Sequence, residues 1–300
     1  MKALVISGGG SKGAFAGGVA QYLIREMNRE YDLYLGTSTG SLLISHLALN
    51  ETEKIREVFT SVNQASIFSN RPFLIRRRHG YDQISINHFN VLRNFLKGRK
   101  TFGESKNLQK LIKDTFTPKE FQQLKSGTKD VVVTVSNLSL NEVEYKSIRD
   151  FNYDDFCEWI WISSNYTPFM SLAQKNGCEY ADGGLGSMVP IEEAIKRGAT
   201  EIDAIILQTE VTNFNRLPSK NAFGLITNLF QFMLDRIENQ NIRIGKFAAA
   251  NKNAIINFYY TPTVLTTNSL IFDEKKMKSW WESGYSFAKL KNEELNQIEP

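Results

Sequence analysis

The sequence predicts an α/β protein with three layers, in which a central, mostly parallel sheet is flanked by helices. Two observations support this class. Short apolar runs of strand length alternate with helical patterns over the first 50 residues, and glycine-rich turns separate strands from the helices that follow. A helix between two strands returns the chain to the same end of the sheet, so this alternation is typical of parallel pairing.

The first elements are the clearest. Residues 2–6 form a short apolar run that ends in three glycines, and apolar residues recur at helical spacing over 13–27. A second strand is predicted over 31–35 and a second helix over 41–49. The order strand, helix, strand, helix follows from these segments.

The rest of the sequence, from residue 51, predicts further helices and strands. Residues 51–125 are polar and predict helices. After them we expect strands at 131–135, 143–147, 201–207 and 255–260, and helices at 191–197, at 221–250 and from 274. Since no repeat or linker interrupts the chain, we expect one domain over 1–300, with a motif-bearing core over about 2–210 and a final part that completes the fold or supplies a lid.

Composition narrows the classes of function. The formal charge of +4 is too small to indicate nucleic-acid binding, and 42% apolar residues suffice for a sizeable core. The two cysteines, Cys157 and Cys178, form no CxxC pair and no zinc spacing, so we expect free thiols and no metal. No signal peptide or membrane span is evident, which predicts a cytoplasmic, soluble chain and leaves export without a cleaved signal as the alternative.

A glycine loop follows the first strand. Gly8, Gly9 and Gly10 leave backbone N–H groups open to a ligand at the start of a helix, where a phosphate or an oxyanion can bind. Gly8, Gly10 and Gly13 also satisfy G-x-G-x-x-G, which keeps a dinucleotide-binding oxidoreductase as an alternative. The second strand lacks the terminal acid of such folds, and a plain tight turn is the remaining interpretation.

A second glycine loop, Gly36-Thr37-Ser38-Thr39-Gly40, is G-x-S-x-G between a strand and a helix. In that setting the motif lifts a serine out of the sheet as a nucleophile. The three histidines are His46, His79 and His88, so no histidine lies beyond residue 88, late in the chain where the Ser-acid-His order requires one. We expect each histidine to have a surface or structural role.

A carboxylate can replace histidine as the base. Asp182 precedes two glycines, and a carboxylate within hydrogen-bond reach of a serine can accept its proton. Asp-Gly-Gly is also an ordinary turn sequence, so the motif alone does not decide between the two interpretations.

In this order, Gly-Gly-Gly-x-Lys-Gly, Gly-Thr-Ser-Thr-Gly and Asp-Gly-Gly resemble the motifs of the patatin-like phospholipases. The resemblance implies that Gly8, Gly9 and Gly10 hold the oxyanion, that Ser38 attacks the ester carbonyl, and that Asp182 accepts and returns the proton. It implies a serine acyl hydrolase that cleaves fatty-acyl esters of phospholipids or other lipids with no cofactor.

The resemblance covers about residues 2–210 and includes departures. Lys12 matches the basic position of the family loop, where it steadies the loop or attracts an anionic head group. In the small-residue segment before Asp-Gly-Gly, Ser163 and Tyr166 take places where alanine is usual, and Tyr166 narrows the expected pocket. Ser187 and Met188 stand where the family often carries asparagine before proline.

Two features predict contact with lipid. Arg76, Arg77 and Arg78 form a basic run that either contacts anionic head groups at a membrane surface or is a solvated loop. The helix predicted near 221–237 carries a wide apolar stripe that is either core or a lipid-docking lid: Phe223, Leu225, Ile226, Leu229, Phe230, Phe232, Met233 and Ile237. A catalytically idle lipid-binding module is the other alternative to an enzyme.

Overall fold

The computed structural model of the chain describes residues 1–78, 81–211, 219 and 222–298. Its main sheet has eight strands, in the order β10-β9-β1-β2-β5-β8-β7 with β6 paired to β5, and β3 and β4 form a separate pair. The strands are β1 (Lys2–Ile6), β2 (Leu33–Thr37), β3 (Phe73–Arg78), β4 (Tyr81–Ile86), β5 (Asp130–Asn137), β6 (Glu142–Ser147), β7 (Ala173–Lys175), β8 (Cys178–Asp182), β9 (Glu201–Ile206) and β10 (Ile255–Tyr260).

Helices cover both faces of the main sheet. They are α1 (Gly13–Arg25), α2 (Thr39–Ala48), α3 (Thr52–Ser61), α4 (Gln64–Ile67), α5 (His88–Leu96), α6 (Lys106–Thr115), α7 (Pro118–Ser126), α8 (Tyr153–Ser163), α9 (Ile191–Lys196), α10 (Ala222–Lys252) and α11 (Glu274–Ile298).

The strands β10, β9, β1, β2 and β5 lie side by side and run parallel, with β10 at one edge of the sheet, as the sequence predicts for a mostly parallel sheet. Nearly all side chains of β1, β2, β5 and β9 are buried on both faces, which explains why these four strands are nearly continuous apolar runs. In β1, for example, Ala3 and Val5 join the core beneath α9 and α10, while Leu4 and Ile6 join the core beneath α1, α2 and α8. The three-layer α/β class is confirmed.

β5 determines where the C-terminal ends of β2 and β8 meet. β6 pairs with one edge of β5, antiparallel. On the opposite edge, β2 pairs with Asp130–Thr134 and runs parallel, while β8 pairs with Val135–Asn137 and runs antiparallel. β2 and β8 therefore approach each other end to end, and the chain just after Thr37 faces Asp182 at the end of β8.

The prediction of helices throughout 51–125 is wrong for β3 and β4, which form an antiparallel hairpin. Isoleucines on both strands, Ile75, Ile84 and Ile86, pack better on a pleated surface than on a helix. Arg76 is exposed on β3, whereas the side chains of Arg77 and Arg78 and all of His79 lie outside the described residues.

The apolar stripe predicted on α10 is divided between core and solvent. Ile226, Phe230 and Ile237 are half-buried, and the side chain of Phe223 lies outside the described residues. Four members are 52–61% exposed: Leu225, Leu229, Phe232 and Met233. No helix within the described residues combines the length and hydropathy needed to cross a membrane.

α11 packs closely on α1 because two glycines of α1, Gly17 and Gly18, lie at the contact. A Cβ on Gly18 would lie 1.9 Å from the backbone oxygen of Trp281, and one on Gly17 would lie 2.1 Å from the Trp281 ring. The indole of Trp281 also donates a hydrogen bond to the side-chain oxygen of Gln21 (2.6 Å). The C-terminal helix therefore seals the core through a glycine contact that tolerates no added atom.

We predict that Gly18→Ala lowers the free energy of unfolding by about 3 kcal/mol, because the methyl group overpacks a contact between two backbones. Denaturant unfolding followed by circular dichroism measures the change. Gly127→Ala is the matched control, since its nearest neighbour to an added Cβ is 3.1 Å away. Equal stability of the two variants would contradict the tight contact.

Candidate active site

Ser38 occupies a sharp turn between β2 and α2. Its backbone lies at φ 53°, ψ −119°, a region that residues other than glycine rarely adopt. The turn is closely packed, since a Cβ on Gly36 would lie 2.5 Å from the backbone carbon of Gly40, and one on Gly40 would lie 2.3 Å from the Ile6 oxygen. Both glycines of G-x-S-x-G are therefore required for the turn that presents Ser38 at the N-terminus of α2.

Asp182 meets Ser38 at hydrogen-bond distance. Ser38 Oγ donates to Asp182 Oδ2 at 2.7 Å, and the backbone N–H of Gly184 donates to Asp182 Oδ1 at 2.8 Å. The carboxyl is buried, and this burial raises the pKa of Asp182 to about 7 against the opposing effect of the two hydrogen bonds. A carboxylate with this pKa can accept a proton near neutral pH.

The end of α8 holds both residues in place. Ser163 Oγ accepts a hydrogen bond from the backbone N–H of Ser38 (3.0 Å) and contacts Ser41 Oγ (2.7 Å). Ser164 Oγ donates to the backbone oxygen of Ser38 (3.1 Å), and the N–H of Asp182 donates to the backbone oxygen of Asn165 (2.9 Å). The departure from alanine at Ser163 thus supplies a hydrogen bond that alanine cannot make.

The first glycine loop lies beside Ser38. A Cβ on Gly8 would lie 3.1 Å from Ser38 Cβ, and the N–H of Gly8 donates to the Met188 oxygen (3.2 Å). The N–H groups of Gly9 and Gly10 have no acceptor among the described residues. These two groups are the donors that the loop leaves free for an anion.

A polar corner joins the loop to α10. Lys12 Nζ donates to the backbone oxygen of Leu207. Burial lowers the pKa of Lys12 although Glu238 and Asp235 oppose it, and burial raises the pKa of Glu238 to about 8 although Lys12 opposes it. Glu238 Oε1 is buried and has no hydrogen-bond partner in the described part of the chain.

One cavity connects these groups with a long apolar region. It has a volume of about 120 Å³ and is lined by both Ser38 and Asp182, by the glycine loop, by Lys12 and by Glu238. Beyond Ser38 its wall becomes apolar, with side chains from α2, α3, α6 and α8: Leu42, Ile55, Phe59, Leu108, Ile112 and Ile160. The cavity can therefore hold a flexible hydrocarbon chain with one end at Ser38.

His46 lies on the cavity wall away from Ser38, and its contacts indicate a role in packing. It packs edge-on against the Phe116 ring, with 5.8 Å between centroids, and its Nδ1 lies 3.3 Å from Glu51 Oε2. Burial, with a smaller effect of Lys54, lowers the pKa of His46 to about 4, so it is neutral at pH 7. His46, Glu51 and Glu120 are close enough to share a metal ion, but Lys54 pairs with both carboxylates and already offsets one of their two negative charges.

Three comparisons relate the chain to known proteins. The patatin-like phospholipase family model matches residues 4–195, and the chain belongs to that family. The uncharacterized protein YjjU of Escherichia coli (strain K12) is 24% identical over 213 residues, 68% of this chain and 51% of that protein. The chain thus spans about half of that relative. The structure of VipD from Legionella pneumophila has a TM-score of 0.47 at 13% identity and covers 96% of this chain and 66% of that one.

Family membership supports lipid acyl hydrolysis as the general class of activity. The structure brings Ser38, Asp182, Lys12 and the three loop glycines to one cavity, whereas Arg76 is not among the residues that line it. Glu238 was not among the site residues predicted from the sequence. The pattern that could have indicated it is the spacing of Gln231, Leu234 and Glu238, which places them on one face of the helix, and all three line the cavity.

We predict that Ser163→Ala lowers kcat about tenfold with little change in KM, because it leaves the N–H of Ser38 buried without an acceptor and loosens the serine. Steady-state hydrolysis of a short-chain ester measures both constants. Ser171→Ala is the matched control, because that buried hydroxyl accepts from the Ser105 N–H (2.9 Å) and not from Ser38. A similar kcat loss in both variants would assign the effect to general loosening.

We predict that kcat/KM rises with pH through about 7 and levels off above it. Burial raises the pKa of Asp182 to about 7, and only the ionised carboxylate accepts a proton, so the rate falls about tenfold per pH unit below that value. Glu238 also titrates in the cavity, at about 8, and Glu238→Gln separates the two groups. If the fall of kcat/KM below pH 7 disappears in Glu238→Gln, then ionisation of Asp182 is not the cause of that fall.

Proposed function

We propose that this chain is a serine acyl hydrolase that cleaves fatty-acyl esters of phospholipids or related lipids, with Ser38 as nucleophile and Asp182 as base. The observation that carries this proposal is the 2.7 Å hydrogen bond from Ser38 Oγ to Asp182 Oδ2, made at the end of an apolar cavity. Family membership supports the same class of activity.

In the first step Asp182 accepts the hydroxyl proton as Ser38 Oγ attacks the ester carbonyl carbon. The carbonyl oxygen becomes an oxyanion, and the unpartnered N–H groups of Gly9 and Gly10 are suited to stabilise it. Gly8 allows the close approach of the loop to Ser38 while its own N–H is used by the Met188 oxygen. Collapse of the intermediate breaks the ester bond, and Asp182 returns the proton to the alcohol that leaves.

The second step releases the fatty acid. Water enters the position of the alcohol, Asp182 accepts one of its protons, and the water oxygen attacks the acyl carbon. When this intermediate collapses, the bond to Ser38 Oγ breaks and Asp182 returns the proton to the serine. The neutral imidazole of His46 takes no part, since it lies away from the serine along the cavity.

Two parts of the cavity fit two parts of a lipid. The apolar wall beyond Ser38 suits the fatty-acyl chain, since it offers hydrocarbon contacts and few polar groups. Lys12 also lines the cavity, and its ammonium group suits an anionic head group. The exposed position of Arg76 suits contact with a membrane surface, together with Arg77 and Arg78 that follow it in sequence.

We predict that a fluorophosphonate probe labels Ser38 and that Ser38→Ala abolishes both labelling and ester hydrolysis. Asp182→Asn should lower hydrolysis about 10²–10⁴-fold, because it removes the base. Peptide mass mapping locates the label, and Ser126→Ala on the exposed surface of α7 is the control. Unchanged turnover in Ser38→Ala would refute the proposal, and a folded protein that binds lipid without being labelled would instead be a lipid-binding module.

A further inference from the structure

α5 exposes its largest apolar side chains to solvent. Phe89, Leu92 and Leu96 are 74%, 57% and 80% exposed, and Phe95 is 47% exposed. Their spacing places Phe89, Leu92 and Leu96 on one side of the helix. We call these four residues the α5 apolar face. A surface helix usually turns such a face towards the core, so its orientation here requires an explanation.

The contacts that hold α5 in place involve other residues. Val91 and Asn94 are the buried residues of the helix. Asn94 donates to the Thr101 oxygen (3.2 Å), and Asn90 donates to the Arg71 oxygen (2.9 Å). The backbone oxygen of Asn90 in turn accepts from the Asn70 side chain (3.1 Å). Folding of α5 therefore does not depend on Phe89, Leu92 and Leu96, the three most exposed members of its apolar face.

Positive charge surrounds the α5 apolar face. Arg93 on the helix and Lys97 directly after it are exposed, and the sequence from 83 to 103 contains no aspartate or glutamate. Arg99 and Lys100 follow directly and are engaged in ion pairs with acids elsewhere. Arg93 and Lys97 form no ion pair within the described residues, so their charges remain open to an anionic partner.

α10 adds a second exposed apolar surface. Its outward residues are Leu225, Leu229, Phe232 and Met233, each more than half exposed. We call these four residues the α10 apolar face. The opposite side of the helix lines the cavity through residues that include Glu238. α10 is therefore the layer between solvent and the candidate active site.

Packed aromatic rings connect the two faces with the cavity. Phe95 contacts Phe102 (6.1 Å between centroids), Phe102 contacts Phe169 (5.9 Å), and Phe169 contacts both Phe230 on α10 (5.9 Å) and Tyr166 (5.3 Å). Tyr166 lines the cavity together with Ser38. The α5 and α10 apolar faces thus flank one aromatic cluster that reaches the site.

We propose that the α5 and α10 apolar faces form a docking surface for an anionic lipid bilayer, with α5 lying in the interfacial plane. A short helix with large apolar residues on one side and unpaired basic residues beside them has the composition of interfacial helices. The unpaired charge of Arg93 and Lys97 favours a bilayer over a second copy of this chain, which is itself basic at +4. This inference places the substrate surface of the proposed function, but its test measures binding and not turnover.

The test is co-sedimentation with vesicles made of equal parts of phosphatidylcholine and phosphatidylglycerol. Replacing Phe89, Leu92 and Leu96 together by Gln should lower partitioning about tenfold or more, because apolar area buried in the interface is lost. Gln keeps the helix propensity of α5, and Val91, Asn90 and Asn94 remain to hold it. Leu138→Gln with Leu140→Gln is the matched control, since both leucines are exposed on the β5–β6 turn, at 46% and 58%.

A second variant tests the charge without touching the apolar residues. Arg93→Gln with Lys97→Gln should lower partitioning to the anionic vesicles about thirtyfold and leave weak binding to pure phosphatidylcholine unchanged. High salt should reduce wild-type binding in the same direction. Ser38→Ala should bind vesicles like the wild type, so a failure of the proposed chemistry would not be mistaken for a failure of docking.

Wild-type partitioning in both the apolar and the charge variants would overturn the proposal. It would also be overturned if the wild type forms a dimer in solution that the α5 variant abolishes, because the face would then be an interface between copies of the chain. Hydrolysis of a soluble short-chain ester checks that the variants are intact, and it should remain at the wild-type rate.

Discussion

The shared edge of β5 is the constraint on which the candidate site depends. Ser38 and Asp182 are 144 residues apart in sequence and meet because β2 and β8 approach each other end to end along that edge. β2 runs parallel to β5 and β8 runs antiparallel, so each strand delivers its C-terminal residue to the same point. A slip of one residue in either pairing would turn the side chains to the opposite face of the sheet and separate the two groups.

Burial is the common cause of the pKa shifts of the charged groups around Ser38. The cavity that suits a hydrocarbon chain also raises the pKa of Asp182 and Glu238 and lowers that of Lys12, since each loses the hydration of its charged form. For Asp182 this effect is useful, because a carboxylate with an ordinary pKa is a weak base towards a serine. An apolar site can thus obtain from burial the basicity that a histidine supplies in a Ser-His-Asp triad.

Much of the fold and the pair at the site follow from local sequence, and the exceptions share a reason. The parallel strands are apparent in the sequence as apolar runs. Ser38 and Asp182 lie in glycine-containing motifs that indicate a small number of tight-turn conformations. The sequence did not predict the β3–β4 hairpin because the run of three arginines, Arg76, Arg77 and Arg78, interrupts the alternation of apolar and polar residues that indicates a strand. The bond from the Ser38 N–H to Ser163 Oγ and the place of Glu238 in the cavity depend on how distant elements pack, which no local pattern records.

α5 differs from the helices of the core in the contacts that hold it in place. A helix that packs by its apolar side gains stability from burial, and its polar side is then free to vary. α5 is held instead through Val91 and the amides of Asn90 and Asn94, so its exposed residues Phe89, Leu92 and Leu96 contribute little to folding. Exposed phenylalanine and leucine also promote aggregation, so a fold gains nothing from them in water. Their exposure is consistent with a surface adapted to the interface of a lipid bilayer. The aromatic cluster connects this surface to Tyr166 and so places it beside the cavity in which a lipid ester would be cleaved.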